Sequence, residues 1–261
     1  MTHDNLDAAV IARLSGLSPA LISVFDTLPS TNTYLSAQAG QGVENFRTVL
    51  AETQTAGRGR MGRSFFSPRG SGIYMSLVLR PKILHAGRLT TLAAVVVSDA
   101  IFRVLGIKVD IKWVNDLLFD GKKLCGILAE SAGGGFAVLG IGINVRKSAF
   151  PSELADIAVS LEDICGTPPS RNLLVAEILK GFASADLDSF SHMAEYRRRC
   201  VTTGKEAVIV SSGETVSVLD VADDGALIVK DADGKQREIF SGEVSVRVTA
   251  KDLNHFHHDE Q

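Results

Sequence analysis

At 261 residues with 45% hydrophobic content, the chain can bury one large core or two smaller ones, which excludes a disordered segment. Its 27 Lys and Arg against 30 Asp and Glu leave a net charge of −3, without the basic surplus of a nucleic-acid-binding protein. The start Met1-Thr2-His3-Asp4-Asn5-Leu6-Asp7 lacks the basic and apolar regions of a secretory signal. The three isolated cysteines, Cys125, Cys165 and Cys200, have no zinc spacing and read as reduced thiols of a cytoplasmic protein.

In chain order, residues 6–14 fit a short helix and residues 21–27 alternate like a strand. Ser30 is a good N-cap for a helix through residue 39. A strand over 47–52 leads into a basic loop, and a β-rich run follows at 73–79. The most apolar stretch, residues 89–107, contains Ser98, Asp99 and Arg103, so it reads as a buried helix (88–105) rather than a membrane span. Asp120-Gly121 between two apolar runs predicts a two-residue hairpin, with Leu118 opposite Lys123 and Leu117 opposite Leu124. Residues 137–145 read as a strand interrupted by glycines, which marks a close approach of backbone or ligand. After Thr167-Pro168-Pro169, Ser170 caps a helix to residue 182, and another helix ends near Cys200. Strands at 207–210, 215–219, 226–229 and 238–240, punctuated by Ser212-Gly213, Asp224-Gly225 and Asp233-Gly234, predict a small all-β domain. The expected domains are 1–201 and 202–250, with a flexible tail at 251–261.

Gln54-Thr55-Ala56-Gly57-Arg58-Gly59-Arg60-Met61-Gly62-Arg63 places three glycines and three arginines in one loop. Glycine permits close approach, and arginine offers a permanent planar fork of donors for carboxylate or phosphate. The match to G-x-G-x-x-G is not a dinucleotide fingerprint, because turn residues and a strand follow where a helix is required. A solvated basic hairpin tip is the plain alternative, but such a tip does not need three glycines here. Downstream, Lys112, the sole Trp113 and Asn115-Asp116 precede Lys123, a lysine on an apolar strand suited to meet an anion.

Together with Pro29-Ser30-Thr31-Asn32, Lys122 to Leu128 and Gly140-Ile141-Gly142-Ile143-Asn144, these segments resemble the biotin–protein ligase family. The likeness runs from about Ser23 to about Val248 and includes Ser241 to Arg247 near the end. It implies an α+β fold: a mixed-sheet catalytic domain of the class II synthetase-like biotin/lipoate ligase type, then a small SH3-like β-barrel. It implies an enzyme that makes biotinyl-5′-AMP from biotin and ATP, with Mg²⁺. The biotin then passes to one lysine of a biotin carboxyl carrier protein domain.

Carried over by position, Ser30, Thr31, Asn32, Gln54, Gly57, Arg58, Gly59, Arg60, Lys123, Gly126 and Asn144 would bind biotin or its adenylate. Arg63, Phe65, Lys112, Asn115 and Asp116 would bind nucleotide, with Asp116 as the metal carboxylate. Arg60, Lys112 and Lys123 would be catalytic. The chain departs from the family pattern at Val114, where many members have Pro, at Met61, where another cation is frequent, and at Phe65, where Trp is frequent. About two dozen residues precede the first motif strand, too few for the winged helix of relatives that act as repressors. The expectation is therefore the short form: no DNA, no membrane, monomer or weak homodimer. A lipoate–protein ligase and a non-catalytic biotin-binding or biotin-sensing module remain as alternatives. Polar Ser30, Thr31, Asn32 and Gln54 suit a ureido ring better than a dithiolane.

Overall fold

The computed structural model describes residues 4–38, 42–82, 84–131, 134–147 and 150–240, and the backbone of Val244–Val246. The expected tail at 251–261 lies outside the described residues. Seven strands form a mixed sheet in the order β1-β2-β3-β7-β6-β5-β4. They are β1 (Ile22–Leu28), β2 (Thr48–Gln54), β3 (Gly72–Leu79), β4 (Asp110–Lys112), β5 (Asp116–Phe119), β6 (Lys122–Ser131) and β7 (Ala137–Asn144). β1 and β2 run parallel, and the other neighbouring pairs are antiparallel.

The pleat of this sheet separates core from site. On β3, Ile73, Met75, Leu77 and Leu79 join the main apolar core, and on β7 so do Ala137, Leu139, Ile141 and Ile143. Alternate residues must then face the other way. Helices α1 (Ala8–Ser15), α3 (Ala86–Leu105) and α6 (Arg171–Ser184) pack together on the core side. Leu89, Ala93, Val97, Ala100 and Ile101 of α3 are all inaccessible to solvent, as the apolar run over this segment predicts. Helix α2 (Thr31–Gln38) covers part of the opposite face, above a smaller cluster of Leu28, Leu35, Val49, Ala51, Val78, Phe136 and Val138. Asp7 and Ser170 cap α1 and α6 by accepting backbone N–H bonds.

The hairpin departs from the expected register. Asp120 and Gly121 have φ of 47° and 76°, as a type I′ turn requires. Leu118 does lie opposite Lys123, but Leu117 lies opposite Cys125 rather than Leu124. A bulge inserts Leu124, which shifts the side-chain alternation by one residue. Cys125 therefore turns into the core, and Gly126 pairs with Asp116 on the site face. In the unbulged register Asp116 would have paired with Cys125, and that thiol would have faced the site with Lys123.

In chain order α4 (Ser152–Ala155), α5 (Leu161–Cys165) and α7 (Met193–Arg199) also precede the second sheet. A five-stranded antiparallel sheet follows, ordered β11-β10-β9-β8-β12. It comprises β8 (Glu206–Ile209), β9 (Thr215–Val221), β10 (Leu227–Lys230), β11 (Gln236–Ile239) and β12 (Val244–Val246). The glycines of its three expected turns all have positive φ. Ala207, Ile209, Val216, Val218, Val221, Leu227 and Val229 are continuous with the main core.

Candidate active site

A cavity of about 510 Å³ opens on the glycine-bearing face of the central strands. Its floor is β6 and β7, where Gly126 pairs with Gly142 and Leu128 with Gly140. The missing side chains make room for others. A Cβ on Gly142 would lie 2.6 Å from Phe65 Cε1, and one on Gly140 would lie 2.3 Å from Asn32 Oδ1. Phe65 thus rests on the Gly126–Gly142 pair and packs edge-on to Tyr74 at 6.4 Å between ring centroids.

The polar end is built at the N-terminus of α2. Ser30, Thr31 and Asn32 are buried, each 3% exposed. Gln54 Oε1 accepts from Thr31 N (2.9 Å) and Thr31 Oγ1 (3.1 Å), while Gln54 Nε2 donates to Ser67 Oγ (2.9 Å). Ser76 Oγ donates to Thr31 Oγ1 at 2.8 Å and also to Asn32 Oδ1. Asn32 Nδ2 donates to Glu130 Oε2 at 3.0 Å.

The loop between β2 and β3 folds back on itself. Gly59 N donates to Arg63 O (2.7 Å) and Phe65 N to Gly57 O (2.9 Å). Met61 and Gly62 take the left-handed conformation at the tip, and Met61 is 72% exposed. Arg58, Arg60 and Arg63 line the cavity together with Lys112 and Lys123. Arg60 donates to Asn115 Oδ1 at 3.1 Å, and Lys123 Nζ sits 2.7 Å from Asp116 Oδ1. That carboxylate oxygen is buried, and its contact is an ion pair without hydrogen-bond alignment. Five cations and a single lining carboxylate, Asp116, give the cavity a surplus of positive charge.

The segment carrying Lys112 and Asp116 is clamped from behind. Trp113 N donates to Thr202 Oγ1 (2.9 Å), its indole Nε1 to Gly225 O (2.9 Å), and Tyr196 Oη to Val114 O (3.2 Å). The Trp113–Val114 peptide bond is cis. Burial pushes the Cys125 thiol well above its ordinary range, which suits a core residue and not a nucleophile.

Every residue expected from the sequence lines this cavity except Gly57. A Cβ there would meet Phe65 O at 2.4 Å and Ser67 Oγ at 2.8 Å, so Gly57 shapes the loop from outside the cavity. Sequence reasoning did not single out Tyr74, Glu130 or the apolar wall of Phe66, Phe150, Leu154 and Ile157. Glu130, the lone charge ending an apolar run, was the one with a readable signal. Among the described residues no cluster of three His, Cys, Asp or Glu side chains could hold a metal by itself. No described helix is long and apolar enough to cross a membrane.

A cation-rich cavity on a mixed sheet suits anionic ligands, and the likeness to known proteins gives its class, a ligase. Residues 24–146 match the model of the Biotin/lipoate A/B protein ligase family, and residues 203–247 match the Biotin protein ligase C terminal domain. The bifunctional ligase/repressor BirA of Bacillus subtilis is 35% identical, with 85% of this chain and 72% of that protein aligned. The biotin–[acetyl-CoA-carboxylase] ligase of Mycobacterium tuberculosis is 32% identical, over 82% of this chain and 85% of that protein. The structure of the Aquifex aeolicus biotin protein ligase in complex with biotin and ATP superposes with a TM-score of 0.77 at 28% identity, covering 87% of this chain and 99% of that one. The chain belongs to the biotin protein ligase family.

Proposed function

We propose that the chain is an ATP-dependent biotin ligase that forms biotinyl-5′-AMP and transfers biotin to a lysine of a biotin carboxyl carrier protein domain of a biotin-dependent carboxylase. The observation carrying this reading is the meeting, in one cavity, of a polar pocket with five cations. The polar pocket of Ser30, Thr31, Asn32 and Gln54 takes the ureido ring. Relatives named as biotin ligases, one of them bound to biotin and ATP, support the substrates.

In the first half-reaction a biotin carboxylate oxygen attacks the α-phosphorus of ATP, and pyrophosphate leaves. Two anions must approach each other, so Arg60, Lys112 and Lys123 are assigned to offset the repulsion and the charge growing on phosphate oxygens. Lys123 is held ready by Asp116, and Arg60 by Asn115. Arg63 and Phe65 complete the nucleotide side, and Gly126 and Asn144 the adenylate side. In the second half-reaction the neutral amine of the acceptor lysine attacks the activated carbonyl and AMP leaves. No enzyme nucleophile is used, in keeping with the buried Cys125.

One carboxylate suits Mg²⁺, which is bound through substrate phosphates plus one or two protein oxygens. Asp116, the lining carboxylate, would hold the ion while its Oδ1 stays paired with Lys123. Bound there, Mg²⁺ would neutralise the leaving pyrophosphate. The reading includes a division into residues 1–201 and 202–250, a monomer or weak homodimer, cytoplasmic action, and no DNA or membrane partner. The net charge of −3 supports the absence of DNA.

Biotin-dependent exchange of labelled pyrophosphate into ATP, with lipoate as the control acid, tests this. Exchange with biotin alone upholds the reading. Exchange with lipoate changes the substrate, and biotin binding without exchange points to a sensing module.

A further inference from the structure

Arg58 directs its charge at a protein carboxylate. Its guanidinium donates to both Glu130 oxygens, Nη2 to Oε1 at 2.9 Å and Nη1 to Oε2 at 3.3 Å. Glu130 lies on β6, 72 residues away in sequence, so the pair ties the loop to the sheet. The same Glu130 Oε2 accepts from Asn32 Nδ2 at 3.0 Å, which fixes the amide with its Oδ1 turned to Ser76. Exposed ion pairs usually contribute little. This one differs because it is two-pronged and its carboxylate also holds a buried side chain of the ligand pocket.

We propose that Glu130 is a positioning residue that latches the arginine–glycine loop through Arg58 and orients Asn32, so that Arg58 acts as a strut and not as a phosphate ligand. The proposal rests on the biotin-ligase reading for its kinetic test but not for its structural one. A loop held over the cavity retains a labile acyl-adenylate and excludes water from it. An arginine already neutralised by a carboxylate adds little to the field at the reacting phosphorus, which leaves Arg60, Lys112 and Lys123 for that task.

The test is a cycle of Arg58→Gln, Glu130→Gln and the double variant. Glu130→Gln removes the charge and keeps an acceptor for Asn32. In the absence of ligand, Glu130→Gln should speed tryptic cleavage after Arg60 severalfold. In pyrophosphate exchange each single substitution should raise the biotin KM about fivefold, the change falling on KM rather than kcat for Glu130→Gln. The double variant should be no worse than either single. Additive effects, or a Glu130→Gln protein with wild-type cleavage and wild-type KM, would overturn the latch. If the wild type shows no exchange, the ligase reading fails, and the cleavage rates still decide the latch.

Discussion

Replacing Gly140 with alanine should damage biotin binding while leaving the strand intact. Gly140 lies in the middle of β7, between β3 and β6, and its backbone is not left-handed, so alanine is conformationally acceptable. The added Cβ, however, would lie 2.3 Å from Asn32 Oδ1 and 2.9 Å from its Cγ. Neither β7 nor the start of α2 can retreat easily, so Asn32 must swing out. It then loses its contacts to Ser76, to Glu130 (3.0 Å) and to Leu128 O (3.4 Å). A neutral hydrogen bond is worth about 1 kcal/mol net and one to a charged group somewhat more. Allowing for partial re-pairing with solvent, about 2 kcal/mol of the pocket's preorganisation is lost, or roughly thirtyfold in biotin Kd. Titration calorimetry with biotin reads this directly. Asn32→Ala in the same background removes the clash, so the double variant should bind no worse than Asn32→Ala alone. A Gly140→Ala protein that binds biotin within about threefold of wild type would refute the argument.

Lys123→Ala should slow adenylation by about 3 kcal/mol, roughly two orders of magnitude in single-turnover rate, since one preorganised charge near the reacting phosphate is lost; normal adenylation would remove Lys123 from the mechanism. Arg60→Gly cuts the loop's tie to Asn115, so activated biotin should leak and label bystander lysines, which a mass-spectrometric count of modified sites would detect; unchanged selectivity would sink that assignment. His192 is buried against Thr91, and burial, then the Arg88 and Arg197 charges, pull its pKa from 6.5 to about 4, with Asp223 opposing. The fold needs the neutral ring, so stability is full above pH 6.5 and falls as the pH drops towards 4, by up to about 3 kcal/mol and less after solvent screening. Urea denaturation of His192→Gln should show a flatter pH profile over that window, and an identical slope would contradict it.

Much of this architecture was legible from short-range signals. The Asp120-Gly121 turn, the Asp224-Gly225 turn and the apolar run of α3 act through local backbone preference and periodicity, which the sequence displays directly. The bulge at Leu124 was not legible, because it follows from how β5 and β6 settle against neighbours distant in sequence. It moved one residue of register and thereby turned Cys125 into the core and Gly126 to the site. The close approach at Gly57 illustrates a second limit. Glycine marks close approach, but not whether ligand or protein approaches, and here the neighbours are Phe65 O and Ser67 Oγ. Glu130 was passed over because its partners, Arg58 and Asn32, lie 72 and 98 positions away.

The indole bond from Trp113 to Gly225 joins the segment that carries Lys112 and Asp116 to a turn of the second sheet. Its neighbour Asp224 O also packs where a side chain on Gly87, at the start of α3, would stand. Cutting the chain near residue 201 would leave that N–H without its acceptor and strip apolar surface from the shared core. The two parts should therefore melt in one calorimetric transition. A fragment ending there should be a poor folder and not a minimal enzyme. Grafting the C-terminal module of a relative onto this chain would succeed only where the incoming turn restores that carbonyl, which makes the seam between the modules a constraint on exchange by recombination.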